Sequence, residues 1–178
     1  MTTWVFCEEF DGQAGASALE SLTKARAWGE VAVFYVGTGS DDAYAALGAH
    51  GATSIHQLDP GGQLPAAAAA AAMGDLVSDG DVVLFGMGTT DRDVAGRLSA
   101  RLGCPVLSNA VDIDPTGDEM LVTNEILGGT TRVVTAATAS PAIVVTRPKA
   151  FPAEPSNGGT PPVTAVATPD VGHAGSAV

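Results

Sequence analysis

Positive charge is what this sequence has least of. Its 178 residues carry 8 lysines and arginines against 20 acidic residues, a formal net charge of −12 at pH 7. So acidic a chain has no basic patch for a phosphate backbone or an anionic bilayer, so neither nucleic-acid binding nor membrane binding is expected. An acidic shell permits a basic partner surface, and it also serves solubility alone. Cysteine is scarce too. Cys7 and Cys104 are the two present, each in an expected strand, and no C-x-x-C occurs. That supports neither a redox dithiol nor a zinc site; two buried reduced thiols are the plain reading. No run of about 18 apolar residues suggests a membrane span, and Ala66–Ala72 is short enough to read as helix. The N-terminus enters Trp4–Cys7 and then meets Glu8, Glu9 and Asp11. It has neither the basic start of a signal peptide nor the acid-free composition of a transit peptide. The expected location is cytoplasmic, with no membrane insertion.

What is present describes a well-cored domain: 46% apolar residues and 16% charged. A chain of about 150 residues buries roughly 70% of its unfolded surface. Strands and helices are expected to alternate. Thr3–Cys7 reads as a strand and Ser17–Trp28 as a helix, with Ser17 and Glu20 as a capping box. Glu30–Val36 is the next strand. Ser40 caps a helix whose first turn holds Asp41 and Asp42, favourable to the helix dipole, and Gly48 and Gly51 end it. Thr53–Leu58 is a strand, and Pro65 opens an alanine helix to about Val77. Asp81–Phe85 is a strand in which Val82–Phe85 is a continuous apolar run, as expected where both faces of a parallel sheet are covered. A helix capped by Thr90 follows, with Val94, Leu98 and Leu102 on one stripe, stopped by Gly103 and Pro105. Cys104–Ile113 is a strand. Glu119–Leu127 and Thr130–Thr138 form a hairpin around Gly128 and Gly129, and Ala142–Thr146 is the last strand.

From Pro152 the texture changes. Pro152, Pro155, Pro161, Pro162 and Pro169, with Gly158, Gly159, Gly172 and Gly175, break every period. The expected division is a domain over residues 1–153 and a flexible Pro/Gly-rich linker or tail over 154–178.

Chemistry-bearing residues are few. Gly86, Met87, Gly88, Thr89 and Thr90 lie at a helix N-terminus, where free amides and the dipole can cradle a phosphate. Gly86, Gly88, Thr89 and Thr90 are therefore the cofactor-binding candidates. The loop lacks both phosphate-loop patterns, Asp91 and Asp93 repel an anion, and a plain tight turn is the competing reading. Gly37, Thr38, Gly39 and Ser40 form a second such loop, with Asp41 and Asp42 against it. His50, His56 and His173 share no ligand spacing, so no metal site is expected. Ser108 is in no nucleophile elbow. Asp112 and Asp114 lead into the turn sequence Asp114–Asp118, better suited to solvent than to acid–base work. No catalytic residue is expected. Arg132 and Arg147 call for acidic partners; an internal pair and a contact to a partner subunit are both open.

Three stretches carry a family resemblance. Asp93, Ala95, Arg97, Leu98, Ala100, Arg101, Leu102 and Gly103, with Ser108 in the strand after, follow a strand and a small-residue loop. Ala18–Arg26 precedes a glycine and a strand. Ile143–Pro152, with Arg147, Pro148, Ala150 and Phe151, closes the domain. In this order they resemble the N-terminal domain of the electron transfer flavoprotein alpha subunit, over residues 1 to about 153. The fold class read from the chain is three-layer α/β, mainly parallel, with a C-terminal antiparallel hairpin region. The resemblance implies its Rossmann-like, adenine-nucleotide-hydrolase-like variant.

It also implies a heterodimer with a beta subunit. That heterodimer uses FAD to carry electrons from acyl-CoA and related dehydrogenases of fatty acid beta-oxidation to the respiratory chain. In that family the flavin contacts lie mostly in a second domain. Since this sequence stops at Val178, the expectation is a truncated or partial alpha subunit acting as scaffold, an electron-carrier component and not an enzyme. No FAD is expected on this chain alone. A stand-alone nucleotide-binding regulatory module of the universal-stress type is the alternative.

Overall fold

The computed structural model describes residues 1–117 and 119–175; Asp118 in the expected turn and 176–178 of the expected tail lie outside them. Strand β1 (Thr3–Phe10) turns into a short β2 (Gln13–Ala14) and helix α1 (Ala16–Ala25). Then come β3 (Val31–Val36), α2 (Asp41–His50), β4 (Ser54–Leu58) and α3 (Ala66–Leu76). After these the chain forms β5 (Val82–Phe85), α4 (Thr89–Leu102), β6 (Val106–Thr116) and β7 (Glu119–Ile126). It ends with β8 (Thr131–Ala137), β9 (Ala142–Thr146) and β10 (Val163–Ala165).

One sheet runs β10-β4-β3-β1-β5-β9-β6-β7-β8. β10 through β6 pair in parallel, while β7 and β8 are antiparallel. The expected three-layer Rossmann-like α/β fold with an antiparallel end is what forms.

Its layers follow from alternation on the pleat. Val5 and Cys7 of β1, with Val31, Val33 and Tyr35 of β3, pack against Ala18, Leu22, Ala43 and Leu47 of α1 and α2. Trp4, Phe6, Ala32, Phe34 and Val36 point the other way, onto Ala69, Met73, Val94 and Leu98 of α3 and α4. Strands buried on both faces need continuous apolar runs, and every residue of β3, β5 and β9 is buried.

Two expected helix starts differ. α1 begins after Gly15 with no side-chain cap, so Ser17 and Glu20 make no capping box. α4 begins after Gly88, which puts Thr90 inside the first turn and not at the cap; the Thr90 hydroxyl donates to Glu8 Oε1 at 2.8 Å. Ser40 does cap α2, accepting from Ala43 N–H at 3.0 Å.

The stretch read as a tail carries a strand. β10 pairs with β4 through Val163, Thr164 and Ala165. Before it, the Arg26 guanidinium donates to Glu154 O at 2.6 Å, and Ser156 Oγ donates to Ala49 O at 2.8 Å. Gly48 and Gly158 let the two backbones touch: a Cβ on either would overlap the other segment's carbonyl.

Candidate functional site

In an open α/β sheet, ligands bind beyond the carboxyl ends of the strands where the strand order reverses. Here that point lies between β1, whose successors β3 and β4 go one way, and β5, whose successors go the other. The residues there are Glu8 and Glu9 at the end of β1, Gly37–Ser40 after β3, and Gly86–Asp91 after β5.

Both glycine loops already hold a carboxyl group, and it is the chain's own. Glu9 Oε2 accepts from Gly39 N–H at 2.7 Å and from the Tyr35 hydroxyl at 2.9 Å, and Oε1 accepts from the Thr38 hydroxyl at 3.2 Å. Glycine is required at both loop positions: Gly37 and Gly39 have φ of +156° and +83°, and a Cβ on Gly37 would overlap Glu9. Gln57 Nε2 donates to Gly37 O at 3.1 Å and Thr38 O at 2.8 Å, fixing the loop from the β4 side. Partial burial pushes the Glu9 carboxyl up, but bonds from Gly39, Tyr35 and Thr38 outweigh it and hold it below the ordinary value. The carboxylate is ionised and takes up the Gly39 amide that a phosphate would need.

The second loop is filled likewise. Asp91, 5% exposed, accepts from Gly86 N–H at 2.8 Å, and a Cβ on Gly88 would overlap its Oδ2. Burial pushes the Asp91 carboxyl up, opposed by the amides of Gly86, Asp91 and Gly88. Glu8 is raised too, first by burial and then, against the Thr90 hydrogen bond, by the Asp91 charge. Of the sequence candidates, Gly86 and Gly88 thus face Asp91 and Thr90 serves Glu8, while Thr89 opens α4. A nucleotide phosphate would meet three acidic side chains here, and the ionised Glu9 repels it. Glu8 and Glu9, not singled out as site residues in the sequence, govern this corner. The signal was two acids directly after an apolar strand, opposite two Gly-Thr loops.

The remaining chemistry-bearing residues stand apart. Burial pushes the Cys7 thiol up to about 12, so it is no thiolate nucleophile at neutral pH. His50 Nδ1 lies 2.7 Å from Ala46 O. The His56 ring packs on Trp4 with centroids 5.0 Å apart, and burial holds its pKa below the ordinary value. Among the described residues no group of three His, Cys, Asp or Glu is placed to hold a metal. Asp112 pairs with Lys24 at 2.8 Å.

Arg132 and Arg147 find the same acid. Glu125 Oε1 takes Arg132 at 3.2 Å and Oε2 takes Arg147 at 2.9 Å, and Arg147 Nε donates to Asn109 Oδ1 at 3.1 Å. The pair from Arg147 and then Arg132 holds the Glu125 carboxyl below its ordinary value. The trio ties the end of β9 to the β7–β8 turn. Beyond it, Ile126 and Leu127 are exposed, as are Val133 and Val134 on β8. No described helix is long and apolar enough to cross a membrane.

A family model described as an electron transfer flavoprotein domain matches residues 3–171. No curated protein matches the chain.

Proposed function

Because the chain belongs to the electron transfer flavoprotein domain family, we propose that it is the N-terminal scaffold domain of an alpha subunit, working with a beta subunit in the cytoplasm. The family's role is electron transfer by a flavoprotein. In the proposed assembly FAD supplies the redox chemistry, accepting electrons from acyl-CoA and related dehydrogenases and passing them to the respiratory chain. Such transfer asks the protein for closeness and a tuned flavin, not for an acid or a base. This chain's part is then to bind a partner and not to catalyse.

One observation carries this reading: the amides at the switch point are spent on Glu9 and Asp91. That corner does not fit the pyrophosphate of FAD or of a free nucleotide, so no step is routed through it. The same observation weighs against the universal-stress alternative, which needs those amides for a nucleotide. The exposed apolar side chains of the β7–β8 hairpin are the partner surface in this reading.

The test has two arms. The chain purified with excess FAD and desalted should show no flavin band in its visible spectrum. Co-expressed with a beta subunit, it should be captured with it in equal amounts. A stoichiometric flavin band on the chain alone would sink the scaffold reading, and absence of capture would sink the heterodimer.

A further inference from the structure

Strand β8 ends the sheet. It pairs with β7 through Thr131–Ala137, and among the described residues no strand pairs with its other side. Natural edge strands are blunted by charged side chains (lysine above all), proline, bulges, inward charges or shortness. At the opposite end the sheet closes with β10, three residues long. Of these devices β8 has one charge, Arg132, and that is paired back to Glu125 on β7. Its sequence Thr-Arg-Val-Val-Thr-Ala-Ala holds no proline, glycine, lysine or acid. Its pairing with β7 runs without a register shift, and Val133 and Val134 are 39% and 60% exposed.

We propose that β8 pairs antiparallel with β8 of a second copy of this chain, centred on Val134. The register follows from the side chains. Centred there, all of Thr131–Ala137 is paired: Val134 faces its own copy, Val133 faces Thr135, Arg132 faces Ala136 and Thr131 faces Ala137. β-branched residues meet at the middle, the long Arg132 lies beside a small alanine, and no like charges stand opposite one another. The two Arg132 side chains are four residues apart along the seam, about 13 Å at strand rise. That exceeds the screening length of about 10 Å at 0.1 M salt. A register centred on Arg132 would instead oppose the two guanidinium groups. Glu125, opposite Arg132 on the next strand in, is already held by Arg132 and Arg147. With −12 on each copy, the pair is weakened by long-range repulsion and strengthens as salt rises. This inference does not rest on the heterodimer reading, since it concerns the chain with no beta subunit present.

The experiment is light scattering on the full chain alone, over a range of protein and salt concentrations. The expected result is a twofold mass that becomes more complete with added salt. Val134→Lys and Val134→Glu, each checked as folded by circular dichroism, should each be monomeric, because like charges then meet on the axis. Mixed, the two should recover the twofold mass. Val134→Cys is mild enough to leave the strand intact, and should cross-link to its own copy on oxidation where Val133→Cys does not. A monomeric parent at every concentration overturns the proposal. So does a dimeric Val134→Lys, a mixture that stays monomeric, or cross-linking favoured at Val133.

Discussion

Glutamate 9 offers the sharpest test of the closed switch point. Glu9→Gln keeps the side chain's size and removes its charge. The parent carboxylate takes Gly39 N–H at 2.7 Å, the Tyr35 hydroxyl at 2.9 Å and the Thr38 hydroxyl at 3.2 Å. An amide has one oxygen for these three donors, and its NH2 group would face one of them. Hydrogen bonds to a charged group contribute about 1.5–3 kcal/mol each. Solvent screening at a half-exposed carboxylate reduces that, so the expected loss is about 1–2 kcal/mol of unfolding free energy. The sign of the pH dependence follows from the pKa. In the folded chain the Glu9 carboxyl lies below its ordinary value, so its contribution is present above the ordinary glutamate range. It is lost as pH falls through the lowered folded value. Glu8 and Asp91, whose raised carboxyls give the opposite slope, are common to both proteins and cancel in the difference. Urea unfolding followed by circular dichroism at a series of pH values should therefore show a gap at neutral pH that closes in acid. Equal stabilities at neutral pH, or a gap undiminished in strong acid, would refute the account of Glu9 as a resident anion.

Asp91→Ala strips the acceptor from the buried Gly86 amide and should cost about 1–3 kcal/mol in the same urea assay; an unchanged midpoint would mean that water serves the loop equally well. Gly48→Ala or Gly158→Ala forces the touching backbones apart and should cost about 1–3 kcal/mol by overpacking. Either change should open 154–166 to limited proteolysis, whereas cleavage between Phe151 and Asn157 in the parent would make that stretch the free tail its composition suggests. Ile126→Asp and Val133→Asp, at exposed hairpin positions, should abolish beta-subunit capture while circular dichroism stays native; if both variants unfold, the positions belong to the core and the partner surface lies elsewhere.

The parallel layers were legible because burial on both faces leaves short, β-branched apolar runs bounded by turn residues, unlike the longer alanine run of α3. Val82–Phe85 and Ala142–Thr146 are solid apolar runs flanked by turn residues, and both became central strands. The hairpin after Asp118 was legible from Gly128 and Gly129, which take φ of +69° and +88° there. β10 was not. Val163–Ala165 is too short to show a period and sits among prolines, and what makes it a strand is the waiting edge of β4, a tertiary fact. Glu8 and Glu9 were passed over for a related reason. As sequence they end an apolar strand with charge, which reads as a strand reaching solvent. Only the sheet order brings Glu9 under the loop after β3 and Glu8 beside the loop after β5. Asp91 was half legible: its repulsion of an anion was readable from its place in the first helical turn, but its role as the occupant of Gly86 was not.

Those three carboxyl groups also bear on the scaffold role proposed for this chain. Loop amides at a switch point are donors that must find an acceptor once buried. A chain that leaves them for a ligand is complete only with the ligand bound, and its stability then depends on ligand concentration. Here Glu9 and Asp91 are covalently part of the sheet and the helix, so the acceptors are present at all times. The cost is borne by Glu8 and Asp91, whose raised carboxyls record the effort of keeping charge in a buried corner. What the arrangement gains is a carboxyl edge that is rigid without a cofactor. With that corner self-sufficient, the open side of β8 and the exposed apolar side chains beside it are the surface on which the proposed protein contacts would form.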